Sequence, residues 1–153
     1  MLIRKAEEKD IPSITQLFKE TIETINSKDY NEDQVKVWSA GYAKTDRWIN
    51  RLTSQYFIVT ETEGVIAGMG SISPEGYLDM MYVHKNYQGR GIASAIVDEL
   101  LSNAVKNNVP LVTSDVSITA KLFFERKGFT VVDKQKVMLG EVEFINYKME
   151  KRM

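Results

Sequence analysis

Apolar positions recur along this chain at two periods, and the switch between them divides it. Ile11, Ile14, Phe18, Ile22 and Ile25 follow at helical spacing, so the segment after Asp10 reads as a helix with one buried face. Asp10 reads as its N-cap, and Pro12 falls in the first turn, where a missing N–H costs little. Ser27-Lys28-Asp29 breaks the pattern. Asn31 can cap a second, short helix bearing Val35 and Trp38, with Tyr42 extending the same face. Thr45 or Asp46 opens a third piece with Trp48, Ile49 and Leu52. Ahead of all these, Leu2 to Ala6 reads as a strand.

From Tyr56 the period drops to two. Tyr56–Thr62 and Val65–Ser73 read as strands joined across Glu63-Gly64, a tight hairpin turn. Pro74-Glu75-Gly76 turns the chain into a central strand, Tyr77–Val83. The helical period returns with Ile92, Ile96, Val97, Leu100, Leu101, Ala104 and Val105, and Asn107-Asn108 with Pro110 ends it. Leu111–Asp115 is a further strand. Because a helix intervenes, it should lie parallel to the central strand through a right-handed crossover. Ile118–Lys127 reads as the last helix, closed by Gly128, and Thr130–Met138 with Glu143–Glu150 as a final antiparallel pair around Gly140. The expected fold is α/β: a mixed central sheet of about seven strands with flanking helices, antiparallel N-terminal strands and one parallel pair. No repeat or linker interrupts it, so residues 1–153 read as a single domain.

Composition narrows the function classes. Twenty Lys and Arg against twenty-one Asp and Glu leave a net charge of −1, which gives no general pull toward nucleic acid or an anionic membrane. Neither is expected as a partner. The absence of cysteine excludes disulfides and a thiol nucleophile. Met1 to Asp10 holds no apolar signal core, and no uncharged run approaches the ~18 residues of a membrane span, so the expected location is cytoplasmic.

The chemistry gathers between Met80 and Ser94, where a strand gives way to a glycine-punctuated turn and then a helix. The first N–H groups of a helix have no partners inside it and face any anion beyond its end. Three phosphate-binding patterns compete. A P-loop needs a lysine and a hydroxyl after its second glycine, and none follows here. The dinucleotide fingerprint fits Gly89 and Gly91, but Ser94 stands where a third small residue should pack. The pattern Gln/Arg-x-x-Gly-x-Gly/Ala is matched at every fixed position by Gln88, Gly91 and Ala93. Here the chain resembles the GNAT superfamily of N-acetyltransferases, and the order of its elements is similar to that family's. The segment Ser117 to Phe129 resembles the family's closing Asn-x-x-Ala-x-x-Leu-Tyr-Glu-x-x-Gly-Phe, matched at Ala120, Glu125, Gly128 and Phe129. Ser117 replaces the asparagine and Phe124 the tyrosine. Tyr30, Gln34 and Trp38 are similar to a bacterial subgroup without a well-defined substrate.

The resemblance implies acetyl-CoA as co-substrate, with no metal. The N–H groups of Gln88, Gly89, Arg90, Gly91, Ile92, Ala93 and Ser94 would cradle its pyrophosphate, with the Arg90 side chain either at the phosphate or solvated. The parallel pair would part into a cleft where Met81, Tyr82 and Val83 line the pantetheine arm, while Ser117 and Phe124 close the other side. The N–H of Val83 would receive the carbonyl oxygen as it becomes an oxyanion. Tyr77, Asp79 and Met81 should share one face of the central strand, since side chains alternate. That face meets the acceptor, so Asp79 is either the base that deprotonates the amine or a carboxylate that fixes a neighbouring element. His84, the only histidine, is a second candidate base or an exposed bystander. Tyr30, Trp38, Tyr42, Trp48 and Tyr56 either fill the core or line an acceptor pocket for an amine with an apolar part. Phe124 cannot protonate the leaving thiolate; water, Tyr147 or Tyr82 could.

The expected function is transfer of the acetyl group of acetyl-CoA to a primary amine of a small molecule or peptide, directly, in a ternary complex. A homodimer is compatible with it. The alternatives are a non-catalytic acyl-CoA-binding sensor on the same fold and a Rossmann-like nucleotide-binding protein. The antiparallel strands before the loop argue against the latter.

Overall fold

The computed structural model describes residues 1–153. Strand β1 (Leu2–Lys5) leads through a 3₁₀ turn at Glu8–Asp10 into α1 (Ile11–Thr24). A second such turn (Asn26–Lys28), α2 (Glu32–Ser39) and α3 (Thr45–Ser54) follow. Ile14, Leu17, Phe18 and Ile22 form the buried stripe of α1, as their spacing requires. Asn31 caps α2 reciprocally: its side chain accepts from the Gln34 N–H at 2.8 Å, and the Gln34 side chain accepts from the Asn31 N–H at 2.8 Å. Asp10 does not cap α1. It closes the preceding turn, and its carboxylate accepts from both Nη atoms of Arg4 and from the Glu7 N–H, each at 2.8 Å. A buried acid needs a charged partner more than a helix needs this cap, and the Arg4 guanidinium holds the Asp10 carboxyl below the usual carboxylate range.

Strands β2 (Tyr56–Thr62), β3 (Val65–Ile72) and β4 (Leu78–Val83) join β1 in an antiparallel sheet of order β1-β2-β3-β4. The β2–β3 hairpin turns on Glu63 and Gly64, both at positive φ, which matches the twist of the strands. Then come α4 (Ile92–Lys106), β5 (Leu111–Ser117), α5 (Lys121–Arg126), β6 (Thr130–Leu139) and β7 (Val142–Arg152). The last three strands form a second antiparallel sheet, β5-β7-β6. Helix α5 is shorter than the sequence pattern suggests, because the Ser117 Oγ accepts from the Ala120 N–H at 3.1 Å and holds the preceding residues in a turn.

The single mixed sheet with a parallel pair is therefore corrected to two antiparallel sheets. β4 and β5 run side by side, but their parallel contact is one bridge, Tyr77 to Thr113. Strand β5 draws its ladder from β7, from Leu111–Arg152 to Ser117–Asn146. Toward β4 the Ser114 Oγ donates to the Leu78 carbonyl at 2.7 Å, and beyond it the strands part.

Two cores lie on opposite faces. Ile96, Val97 and Leu100 of α4 pack with Val112, Val116 and Met149 on one. Phe18 and Ile22 of α1 pack with Trp48, Val59 and Met69 on the other. Helix α4 lies close on β3 because Gly68 and Gly70 carry no side chain: a Cβ at Gly68 would fall 2.8 Å from the Ile92 Cγ2, and one at Gly70 2.5 Å from the Ile96 Cγ2. That approach sets where the N-terminus of α4 stands relative to the end of β4.

Leu78, Met81 and Val83 belong to the α4 side, Met80 and Tyr82 to the α1 side. Leu78 and Met80 are two residues apart yet face opposite cores. The alternation breaks at Asp79, where the β3–β4 register shifts between Ser71 and Ile72. Tyr77, Asp79 and Met81 thus do not share a face as expected: the bulge turns Asp79 to the side of α3 and leaves Met81 with α4.

Candidate active site

Where β4 and β5 part they leave a cleft of about 520 Å³. Of the residues expected to hold acetyl-CoA, together with Asp79, all line it except Arg90. At its mouth the chain leaves Val83 through a loop and enters α4 at Gly91. Gly89 and Gly91 hold φ of 73° and 80°, a region other residues enter only with strain, and nothing lies within 4 Å of where a Cβ would stand on either. The loop is bent for a group to approach its backbone, and the first N–H groups of α4 face that space. The Gln88 side chain does not point outward. Its Nε2 donates to the Val83 carbonyl at 2.7 Å, and the Thr21 Oγ1 donates to the same oxygen at 3.2 Å. Gln88 therefore ties the loop to the end of β4.

Arg90 lies outside, its guanidinium 4.9 Å from the Tyr87 ring centre. His84 is also outside the cleft, and its Nδ1 accepts from the Asn86 N–H at 3.0 Å, a bystander holding its own turn. A cation that the sequence did not reveal bonds to the first turn of α4. Lys127 Nζ donates to Ser94 Oγ at 2.9 Å and pairs with Asp98 at 2.5 Å. Only the fold brings these residues together, since no motif links positions so far apart.

Along one wall, the His84 N–H donates to the Ala67 carbonyl at 2.8 Å. In an antiparallel ladder paired and unpaired residues alternate, so Val83 and Met81 turn their N–H and C=O groups away from β3 and into the cleft. The opposite wall is Ser117, Ala120, Phe123 and Phe124. Phe124 is 3 % exposed and meets Phe129 edge to face at 5.1 Å. Tyr147 does not line the cleft; its ring lies under Lys121 Nζ at 5.2 Å.

The cleft continues through the gap to the α1 face. There Asp79 accepts from Arg51 Nε and Gln55 Nε2, both at 3.0 Å on one oxygen. Thr21, Asn26, Trp38 and Tyr82 form the floor. Burial pushes the Tyr82 phenol well above its ordinary pKa, so it stays protonated. Of the five aromatics read as core or pocket, Trp38 lines the cleft. Trp48 is core, its Nε1 donating to the Gly41 carbonyl at 3.1 Å. Tyr30 is buried, stacks edge-on against Trp38 at 5.1 Å and accepts from the Ile118 N–H at 2.8 Å. Tyr42 is exposed, and Tyr56 bonds to Glu99, its phenol pushed up to about 12 by burial and then by that carboxylate. Asp115 also lines the gap. Sequence reasoning left it as the end of a strand.

A cleft between splayed strands, entered over a glycine loop at a helix N-terminus, is the shared feature of a known fold. The sequence model of the acetyltransferase (GNAT) domain matches residues 26–151. This chain belongs to the GNAT family of acetyltransferases. The uncharacterized N-acetyltransferase YafP of Escherichia coli (strain K12) is 30% identical over 148 residues, 96% of this chain and 93% of that protein. A GCN5-related N-acetyltransferase from Rhodopseudomonas palustris superposes with a TM-score of 0.95 at 26% identity, over 99% of this chain and 95% of that one. PaiA N-acetyltransferase from Thermoplasma acidophilum, solved in complex with coenzyme A, shares the fold with a TM-score of 0.84 at 17% identity, over 99% and 98%.

Proposed function

We propose that this GNAT protein, a single domain over residues 1–153, moves the acetyl group of acetyl-CoA to a primary amine of a small molecule or peptide, directly, in a ternary complex. The observation that carries the reading is the cleft itself: main-chain groups of Met81 and Val83 turned into it, and an open glycine loop at its mouth. The α4 N-terminus and loop suit a pyrophosphate. The Met81 and Val83 groups lie about 6.6 Å apart along the strand, a spacing at which one holds the pantetheine amide while the other meets the thioester carbonyl. In this reading the Val83 N–H, stiffened by the bonds from Gln88 and Thr21 to the adjoining carbonyl, stabilises the oxyanion. The amine approaches from the α1 face, over Trp38 and Tyr82 and between the carboxylates Asp79 and Asp115. The chain holds no cysteine to carry the acetyl group, which supports direct transfer.

Coenzyme A and acetyl-CoA should raise the melting temperature by mass action, with NAD and ATP doing so far less. Gly91→Val should abolish that shift, since its side chain would fill the open space at the loop; the strain at φ 80° should also lower the melting temperature of the unliganded variant, which is measured alongside. Equal shifts from all four ligands would sink this reading. Phe124, a phenyl ring where the family pattern has a tyrosine, favours a second reading: an acyl-CoA-binding sensor. An enzyme releases thiol from acetyl-CoA when an amine is present; a sensor only binds.

A further inference from the structure

On β5 the side chains of Val112, Ser114 and Val116 face α4 and β4, so alternation sends Thr113, Asp115 and Ser117 to the opposite face. That is the face of Trp38, Tyr82 and Arg51. Asp115 lies exposed to the cleft there, and both its oxygens are fixed by neutral donors. Its Oδ2 accepts from the Tyr77 hydroxyl at 2.8 Å and its Oδ1 from Gln135 Nε2 at 2.9 Å. Gln135 Nε2 also donates to Asn146 Oδ1 at 2.9 Å, which anchors it to β7. The Tyr77 phenol is held protonated, by burial first and then by Asp115, so it serves as a donor.

Asp79 is placed differently. Its bonded oxygen is taken by the Arg51 guanidinium as well as by Gln55, so protonating it would break an ion pair. No Lys or Arg nitrogen lies within 4.0 Å of Asp115. The charged groups facing this corner are Asp79 of β4 and Arg51 of α3, which act with Asp115 on the Tyr77 phenol, Lys148 of β7 as the cross-strand neighbour of Asp115, and Asp133 of β6 opposite Lys148. Lys121 of α5 lies on the other face, over Tyr147. Helix α2 presents neutral Trp38.

We propose that Asp115 is the carboxylate that holds the acceptor's ammonium and takes its proton, with Tyr77 and Gln135 as its positioning residues. This rests on the acetyltransferase reading above. Each carboxylate oxygen has a lone-pair site beyond the bond it already accepts, room for an ammonium N–H. The proton passes from R–NH₃⁺ to the carboxylate, giving R–NH₂ and a carboxylic acid. The nitrogen lone pair forms the C–N bond at the thioester carbon, the C–S bond breaks, and its electron pair leaves on sulfur. The nitrogen gives up a second proton as the amide forms, the thiolate takes up one, and one is released in net to solvent.

Three primary amines serve as probes: 2-phenylethylamine, cadaverine and a hexapeptide beginning with alanine. Thiol release is followed from pH 6 to 10 with the fastest of them. Asp115→Asn should lower kcat/KM about 100-fold near pH 7, with the loss shrinking toward pH 10 as free amine accumulates. Asp115→Glu, which keeps the charge, should restore most of the low-pH rate; it also reports if the Asn variant fails to fold. Tyr77→Phe should cost about tenfold with the wild-type pH profile. Asp79→Asn should lower the rate by a factor that does not change with pH. All four should keep the coenzyme A thermal shift. A pH profile of Asp115→Asn parallel to wild type, or a loss confined to low pH in Asp79→Asn, would overturn the assignment alone. Wild-type protein that binds coenzyme A but acetylates none of the three would overturn the acetyltransferase reading instead.

Discussion

Replacing Phe124 separates packing from catalysis at the wall of the cleft. The ring is 3 % exposed and touches Phe123 and Phe129 edge to face, at 5.5 and 5.1 Å. Truncating a buried phenylalanine to alanine costs about 3–5 kcal/mol, and each aromatic pair contributes roughly 0.5–1.5 kcal/mol of that. Phe124 borders the cleft, so water can enter part of the space left behind, which points to the lower end, about 3 kcal/mol. In a chain of 153 residues each kcal/mol moves the melting temperature by about 2–4 °C, so Phe124→Ala should melt about 6–12 °C lower. Phe124→Tyr tests the chemistry. A thiol with an ordinary pKa of about 8.5 leaves tolerably near neutrality without an acid, so an added hydroxyl should leave turnover similar or modestly higher. Calorimetry with and without coenzyme A, and thiol release at saturating acetyl-CoA, measure the two effects. A large loss of turnover in Phe124→Tyr with unchanged coenzyme A affinity would show that an apolar wall is required there, and would refute this reasoning.

Gly70→Ala should destabilise by about 1–3 kcal/mol, because its Cβ would stand 2.5 Å from the Ile96 Cγ2 and push α4 off β3; denaturant unfolding measures this, and weaker coenzyme A binding should accompany it. Asp10 has a lowered carboxyl pKa in the folded state, so its pairing with Arg4 stabilises the fold above the unfolded value of about 3.9 and is lost as pH falls through the lower folded value. Arg4→Met should cost about 3 kcal/mol at pH 7 and much less at pH 2–3, as urea unfolding across that range would show.

Where a feature depends on residues close in sequence, the chain displays it. The stripe of α1, the reciprocal cap of Asn31 and Gln34, and the glycine loop are all of this kind, and the loop alone located one end of the cleft. The opposite wall, with Ser117, Ala120 and Phe124, falls in the one short segment whose Ala120, Glu125, Gly128 and Phe129 match the family's closing pattern. What stayed hidden depends on pairings between distant strands. The bulge at Asp79 follows from the register against Ser71 and Ile72, and it moved that carboxylate to the other face. Asp115 gained its setting only when Tyr77, just ahead of β4, and Gln135 of β6 converged on it, with Asn146 of β7 anchoring Gln135. Asp10 was misjudged for a related reason: its position matched a cap, and nothing local announced the Arg4 guanidinium on β1.

The single bridge between Tyr77 and Thr113 has a mechanical consequence. Each sheet is self-sufficient in its main-chain ladder, so the seam between them is stitched mostly by side chains: Ser114 to Leu78, Tyr77 to Asp115, and the apolar underside of α4. The molecule is built as two sheets on a joint of side chains, and in the proposed reaction that joint is where acetyl-CoA and the amine would meet.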